Sequence, residues 1–294
     1  MGESAVSMRV GCGQITWSRA SEEEALRDIS QAGYEGAAPK LRVDQPPEAT
    51  IQTLSGWGLK PAPPYFSAEF WKPELREGIL GSAREAARFT RGIGCTELYV
   101  ATGGGNVVAA SGRTRRQLAG HVGEGDGLPD ADFRRLAEVL TEVAAITLAE
   151  GVRSCFHNHV GSVVETEAEY ERLIELSGPE VFLGPDTGHL AWAGGDVPGF
   201  FRRHIDRILT THLKDIDGEV LARGRKEEWD YPTFSDRGIF TELGRGFVDI
   251  ADAVDQLRGA GFDGWVIVET DVTQLPTAAE SARVSREYLH SIGL

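Results

Sequence analysis

Cysteine is scarce: Cys12, Cys95 and Cys155 are the only three in 294 residues. They are too few and too scattered for a disulfide framework, and each lies in an apolar, strand-like run, so they read as buried thiols of a reducing, cytoplasmic compartment. No apolar run reaches the length of about 18 residues that a membrane span needs. The start, Met1 to Met8, lacks the basic and apolar regions of a secretory signal, and Val6 stands where a myristoylation pattern wants Ser or Thr. Residues 1–8 therefore read as a disordered leader. Positive charge is also short: 30 Lys and Arg against 45 Asp and Glu give a net charge of −15. A nucleic-acid partner would want a basic face, so none is expected. Three motifs are missing as well. No Gly-x-Gly-x-x-Gly follows a strand and no Walker loop occurs, so no nucleotide cofactor is implied. No Gly-x-Ser-x-Gly elbow supports a serine hydrolase.

What is present is a regular alternation of short apolar runs and amphipathic stretches. Strands are predicted over 9–15, 36–39, 59–65, 97–101, 152–157, 181–186, 208–213 and 265–269. Helices are predicted over about 21–33, 47–57, 73–93, 130–150, 167–176, 198–204, 249–259 and 277–292. Ser21 with Glu24 forms a capping box for the first helix, and Asp130 caps the fourth. Pro39 ends the pairing of the second strand. Leu75, Ile79, Leu80, Ala83, Ala86 and Ala87 show the helical spacing of the third helix. Eight strand–helix units over 9–294 imply a single-domain α/β fold, the (β/α)8 TIM barrel. Two long loops, about 102–128 and 215–246, follow the fourth and seventh strands. Both therefore fall on the C-terminal face, where such barrels build active sites, and loops of this kind often act as lids. In the first of them, Gly103-Gly104-Gly105-Asn106 with Arg113, Arg115 and Arg116 can form an anion-binding nest or a solvated lid.

Four consecutive strands end in metal-ligand side chains. His157 and His159 close the fifth, Asp186 the sixth, His212 the seventh and Glu269 the eighth. Alone, an Asp is more often a helix cap and a His more often a satisfied core imidazole. Four such residues at successive strand ends, however, point one N or O ligand each at a common centre. Mixed N/O ligation suits one Mn²⁺, Co²⁺, Zn²⁺ or Fe²⁺ better than Mg²⁺ or Ca²⁺. Such an ion polarises a carbonyl and acidifies the neighbouring C–H. His189, three residues past Asp186, has an imidazole of suitable pKa for a general base, or it serves as a cap or packing residue. Lys214 can stabilise an enolate oxygen or can pair with Asp215 or Asp217. Trp17 can stack on a sugar face or plug the barrel.

The series His157-Asn158-His159, Asp186-Thr187-Gly188-His189-Leu190, His212-Leu213-Lys214-Asp215 and Val268-Glu269 resembles the xylose isomerase-like TIM-barrel superfamily. Within it the inosose dehydratase branch looks closest, through Gly11–Trp17, His157–Gly161, Gly238–Gly246 and Gly264-Trp265-x-x-x-Glu269. The resemblance covers essentially the whole barrel. It implies a divalent metal on Asp186, His212 and Glu269, with His157, His159 or Glu165 in the fourth place, where the superfamily usually has a Glu. It also implies His189, His159 and Lys214 as catalytic residues, and Trp17, Lys40 and Asn158 as substrate contacts. At the second strand many members carry a carboxylate, and this chain has Ala38-Pro39-Lys40. The implied activity is a metal-dependent lyase or isomerase acting on a keto-sugar or keto-cyclitol through an enolate, inosose dehydratase-like before others. The alternatives are a sugar isomerase or epimerase, an enzyme that cleaves keto-glycosides, and a non-catalytic sugar-binding subunit. A homo-oligomer is a further implication.

Overall fold

The structure, a computed structural model, describes residues 8–294. The expected leader therefore lies outside the described residues except for Met8, which is buried in the core rather than part of a leader. In chain order the strands are β1 (Arg9–Cys12), β2 (Gly36–Ala37), β3 (Lys60–Pro61), β4 (Tyr65–Ala68), β5 (Glu97–Thr102), β6 (Arg153–His157), β7 (Phe182–Leu183), β8 (Thr210–Leu213), β9 (Asp215–Ile216), β10 (Phe240–Thr241) and β11 (Trp265–Val268). The helices are α1 (Glu22–Gln31), α2 (Pro47–Ser55), α3 (Arg76–Gly92), α4 (Asp130–Ala149), α5 (Glu167–Leu176), α6 (Thr187–Trp192), α7 (Val197–His204), α8 (Gly218–Lys226), α9 (Tyr231–Asp236), α10 (Ile250–Gly259) and α11 (Ala278–Ser291).

Parallel pairing runs β3–β2–β1–β11–β8 in one arc and β4–β5–β6–β7 in the other. Parallel bridges Leu183–Ile208 and Asp186–His212 join β7 to β8. On the opposite side the chain itself joins the arcs, because β3 and β4 are two halves of one barrel strand. The expected unbroken strand over 59–65 is thus divided. Pro63 and Pro64 sit at the break, where neither can donate a ladder hydrogen bond. Counted this way, eight parallel staves close into a (β/α)8 barrel. Its lumen is plugged by Ala62, Tyr99, Trp265 and Ile267, and the Tyr99 hydroxyl meets Thr210 Oγ1 at 2.6 Å across it.

The helices follow from their apolar spacing. In α4, Phe133, Leu136, Ala137, Leu140, Val143 and Ala144 form one buried face, and each large apolar side chain removed from water contributes about 1.5–3 kcal/mol. Asp130 is the first helical residue and does not cap; Pro129 holds the cap position. Thr166 and Glu169 form a full capping box on α5. The second long loop is corrected: 215–246 contains α8, α9 and the antiparallel ribbon β9–β10. Asp215 accepts the N–H groups of Ile216, Gly244, Gly246 and Val248 and so stitches that segment to the barrel mouth.

The first long loop is irregular as expected, but Arg115 is no free anion-binding residue. Its fully buried guanidinium donates to the carbonyls of Ser162 and Asp126 and to Glu169 at 2.8 Å, which pins the loop to α5. Beside it, Glu165 accepts the N–H of Gly120 (2.7 Å) and of Gly161 (2.6 Å). Burial pushes this carboxyl up to about 7, against the pull of Arg115 and of those two N–H groups. A carboxyl with a raised folded-state pKa binds its proton more tightly when folded. Its contribution is therefore greatest at low pH and falls as pH rises from about 4.5 to about 7. We expect the stability advantage of wild type over Glu165→Gln to shrink by about 3 kcal/mol across that window, measured by denaturant unfolding at several pH values. A pH-independent difference would refute it.

Candidate functional site

The four strand ends converge as the sequence predicts. His157 ends β6, Asp186 lies just beyond β7, His212 belongs to β8, and Glu269 follows β11. Local hydrogen bonds hold each in place. Asp186 donates its N–H to Asn158 Oδ1 at 2.9 Å, and the Asn158 amide returns a bond to the Asp186 carbonyl. One Asp186 oxygen, Oδ1, caps α6 by accepting the His189 N–H at 2.8 Å. The cap reading of Asp186 thus holds for Oδ1, and Oδ2 is left outside the cap. His157 Nδ1 lies 3.3 Å from the Gly184 carbonyl, which leaves Nε2 available. Glu269 donates its N–H to the Leu213 carbonyl, fixing its register beside β8.

Ligand-type atoms of His157, Asp186 and His212 lie within 4.8 Å of one another. His212 Nδ1 is 3.7 Å from Asp186 Oδ2 and 3.2 Å from Glu269 Oε2. Asp186 Oδ2 and His212 Nδ1 are both buried and have no hydrogen-bond partner. Charged neighbours face them without a hydrogen bond, Lys214 Nζ at 3.3 Å from the carboxylate oxygen and Glu269 Oε2 at 3.2 Å from the ring nitrogen, and buried polar atoms left without a hydrogen bond are costly. This donor set of two imidazoles and two carboxylates therefore fits a divalent cation of mixed N/O preference. Glu165 is not a fourth ligand, because both its oxygens are engaged by backbone N–H groups away from this cluster. His157, by contrast, stands within the cluster.

One large cavity, about 750 Å³, opens over the cluster, and His157, His159, His212, Lys214 and Glu269 line it. Asp271 lines it too, a residue sequence reasoning did not single out. The readable signal was its spacing: two residues past Glu269 on extended chain, it falls on the same face. Lys214 is fully buried, with Nζ 3.3 Å from Asp186 Oδ2, 3.3 Å from Glu269 Oε2 and in contact with Asp271. Its partner is therefore Asp271, not the neighbouring Asp215 or Asp217. The Tyr231 hydroxyl also reaches Asp271, at 3.4 Å.

The other predicted residues sort by depth. His159 lines the cavity, whereas His189 is fully buried behind it, ring centroids 3.9 Å apart, with neither ring nitrogen hydrogen-bonded. His189 thus does not reach the substrate space directly, and His159 does. Asn158 is buried and spends its amide on Asp186, so it positions that residue and does not line the cavity. Trp17 lines the wall and is no barrel plug, since Ala62, Tyr99, Trp265 and Ile267 fill the lumen; its indole N–H donates to Asp28 of α1 at 3.0 Å. Lys40 stands exposed at the rim.

Electrostatics at the floor are dominated by the packed charges. Burial opposes the Lys214 charge, but Asp186, Asp271 and Glu269 outweigh it and hold the ammonium protonated well above its ordinary range. Burial likewise opposes the Asp186 carboxylate, and Lys214 with the nearby imidazoles keeps it ionised well below the usual range. For His212, burial pulls the pKa down while Glu269 and Asp186 push it up more strongly, to about 9. Burial lowers the pKa values of His157, His159 and His189, so those three imidazoles are neutral at pH 7.

Comparison with known proteins agrees with the barrel fold. An inosose dehydratase of Geobacillus kaustophilus (strain HTA426) is 29% identical over 294 aligned positions, covering 96% of this chain and 93% of the relative. Among solved structures, the probable 3-DHS dehydratase AsbF of Bacillus anthracis superposes with a TM-score of 0.73 at 14% identity, over 96% of this chain and 99% of that one. The IolI protein, solved with a bound zinc atom, gives a TM-score of 0.70 at 14% identity, over 97% and 98%. Residues 26–291 match the family model described as xylose isomerase-like TIM barrel, and the chain belongs to that family.

Proposed function

We propose that the protein is a divalent-metal-dependent lyase acting on a keto-sugar or keto-cyclitol, of the inosose dehydratase type. The observation that carries this reading is the convergence of His157, Asp186, His212 and Glu269, with Asp186 Oδ2 and His212 Nδ1 buried and without a hydrogen bond, beside a protonated Lys214 on the floor of one cavity. The similarity to an inosose dehydratase supports the choice of substrate class.

His157, Asp186, His212 and Glu269 would hold the ion, which supplies Lewis acidity to a ketone oxygen when bound. The chain's own groups do the rest. His159 Nδ1 lies 2.7 Å from the Val160 carbonyl, so its proton sits on Nδ1 and Nε2 is the basic nitrogen. That nitrogen accepts the proton α to the ketone, and the C–H electron pair becomes the C=C bond of an enolate. The Lys214 ammonium, held by three carboxylates, offers fixed positive charge to the enolate oxygen. The enolate then expels the β-hydroxyl as its C–O bond breaks, and the proton carried by His159 leaves with it as water. The product is an enone, dehydrated by one water relative to the ketone. Reprotonation without C–O cleavage would be isomerisation or epimerisation instead.

The deciding experiment is turnover of 2-keto-myo-inositol in D₂O by Mn²⁺- or Co²⁺-loaded protein, followed by NMR. Loss of water with a new enone or dione signal is expected, with Glu269→Gln inactive. Deuterium exchange without elimination would replace the lyase reading by an isomerase, and no exchange would sink the cyclitol assignment. His159→Asn should lower kcat by roughly 10²–10⁴-fold with metal binding retained. An unimpaired His159→Asn would remove the assigned base.

Gly13 provides an independent check on the ligand set. A Cβ at this position would lie 2.3 Å from Glu269 Oε1 and 2.6 Å from Glu269 Cγ. The clash falls on the movable end of a side chain, so the barrel can keep its fold while Glu269 is displaced. Gly13→Ala should therefore weaken Mn²⁺ affinity by roughly 10–100-fold with an unchanged circular dichroism spectrum. Full-strength binding would mean that Glu269 is not a ligand.

A further inference from the structure

The cavity has two unlike sides. Its floor, from the ends of β6, β8 and β11, is the polar set just described. Its opposite wall comes from the turn after β1, the start of α1 and the segment 38–41 after β2. There Ile15, Trp17, Pro39 and Leu41 present apolar surface, and Ile15 is 44% exposed although it is a large apolar side chain at a cavity mouth.

The polar residues on this wall are already engaged within the protein. Gln14 Nε2 donates to the Ala38 carbonyl at 2.9 Å. Ser21 Oγ accepts the Glu24 N–H at 3.1 Å. Glu22 is paired with Arg42 at 2.6 Å, and the Trp17 indole is spent on Asp28. Each of these side chains is thus anchored within the protein, and Ser18 and the Lys40 ammonium are the wall's unanchored polar groups beside the apolar Ile15, Pro39 and Leu41. Size points the same way. A cavity of about 750 Å³ falls in the range that holds drug-sized ligands, well beyond a single six-membered polyol ring.

We infer that the substrate is a keto-sugar carrying an apolar, aromatic-sized substituent: the oxygenated ring lies on the floor and the substituent covers Ile15 and Leu41. This rests on the functional reading above and adds to it a preference, within its substrate class, for an aryl-substituted keto-sugar over the bare ring used in the turnover test. The polar floor fixes the ketone, and the wall contributes affinity by burying apolar area instead of by hydrogen bonds.

The test is calorimetric binding to the Mn²⁺-loaded full chain of three probes: phenyl 3-keto-β-glucoside, methyl 3-keto-β-glucoside and 2-keto-myo-inositol. The phenyl glycoside should bind tighter than the methyl glycoside by roughly tenfold or more, the scale expected from burying one aromatic ring. That ratio should fall toward one in Ile15→Asp, whose exposed site tolerates the change, and should persist in the remote surface control Phe247→Ser. Equal affinities for phenyl and methyl glycosides, or a ratio untouched by Ile15→Asp, would overturn the inference while leaving the functional reading intact. Binding of none of the three ketones would overturn the functional reading and the inference with it.

Discussion

The mouth of this barrel is organised around one buried ammonium. Lys214 is only 1% exposed, and Asp186, Glu269 and Asp271 all face its Nζ. An ammonium taken out of water costs several kcal/mol unless its partners return that energy. Here they come from different strand ends, β7 and β11, around a lysine that follows β8. The charge can be satisfied only when the barrel is closed and in register, so closing the fold and assembling the site are one event. Gly188 completes the arrangement, because a Cβ there would fall 2.6 Å from Lys214 Cγ. The glycine between Asp186 and His189 is the imprint of the lysine side chain.

The same interaction divides labour among the histidines. His212, next to the carboxylates, is pushed toward the charged form, whereas His157, His159 and His189, one layer away, are held neutral by burial. A neutral imidazole has a lone pair to use, which the proposed function assigns to metal binding at His157 and to proton transfer at His159. His189 stacks behind His159, with Trp192 on its far side, and so fixes the plane of the ring that faces the cavity. Position relative to the Lys214 cluster, not residue type, thus sets what each imidazole can do.

Much of this was legible in the sequence, and the failures have specific causes. The barrel follows from alternating periodicities, and His157, Asp186, His212 and Glu269 follow from strand ends, because both signals are local. Pairings that depend on closure are not local. Lys214 was read against Asp215 and Asp217, its chain neighbours, while its real partner Asp271 lies on another strand end. Glu165 had the right residue type near the right strand, but its oxygens were claimed by the N–H groups of Gly120 and Gly161, the former in a loop whose course no periodicity reveals. The helices α8 and α9 were hidden because their apolar faces are short, with Leu221 and Phe234 as their main buried side chains. The caps at Asp217 and Asp230 were the available signals.

Charge balance then decides between one bound cation and two. A second group, His159, His189 and Asp271, also brings ligand-type atoms within 4.8 Å of one another. Counting donors alone, the floor could hold a dinuclear centre. Counting charge favours one ion: three carboxylates face one ammonium, an excess of two negative charges once His212 gives up its proton to act as a ligand. Under the proposed function, one divalent ion held by His157, Asp186, His212 and Glu269 would cancel that excess. A second would leave two uncompensated positive charges in a buried site, where desolvation makes them most costly. Asp271 is moreover already committed to Lys214. The neutral floor that would result, with His159 uncharged at its edge, is the state in which the proposed ketone substrate would bind and yield a proton without first displacing a charge.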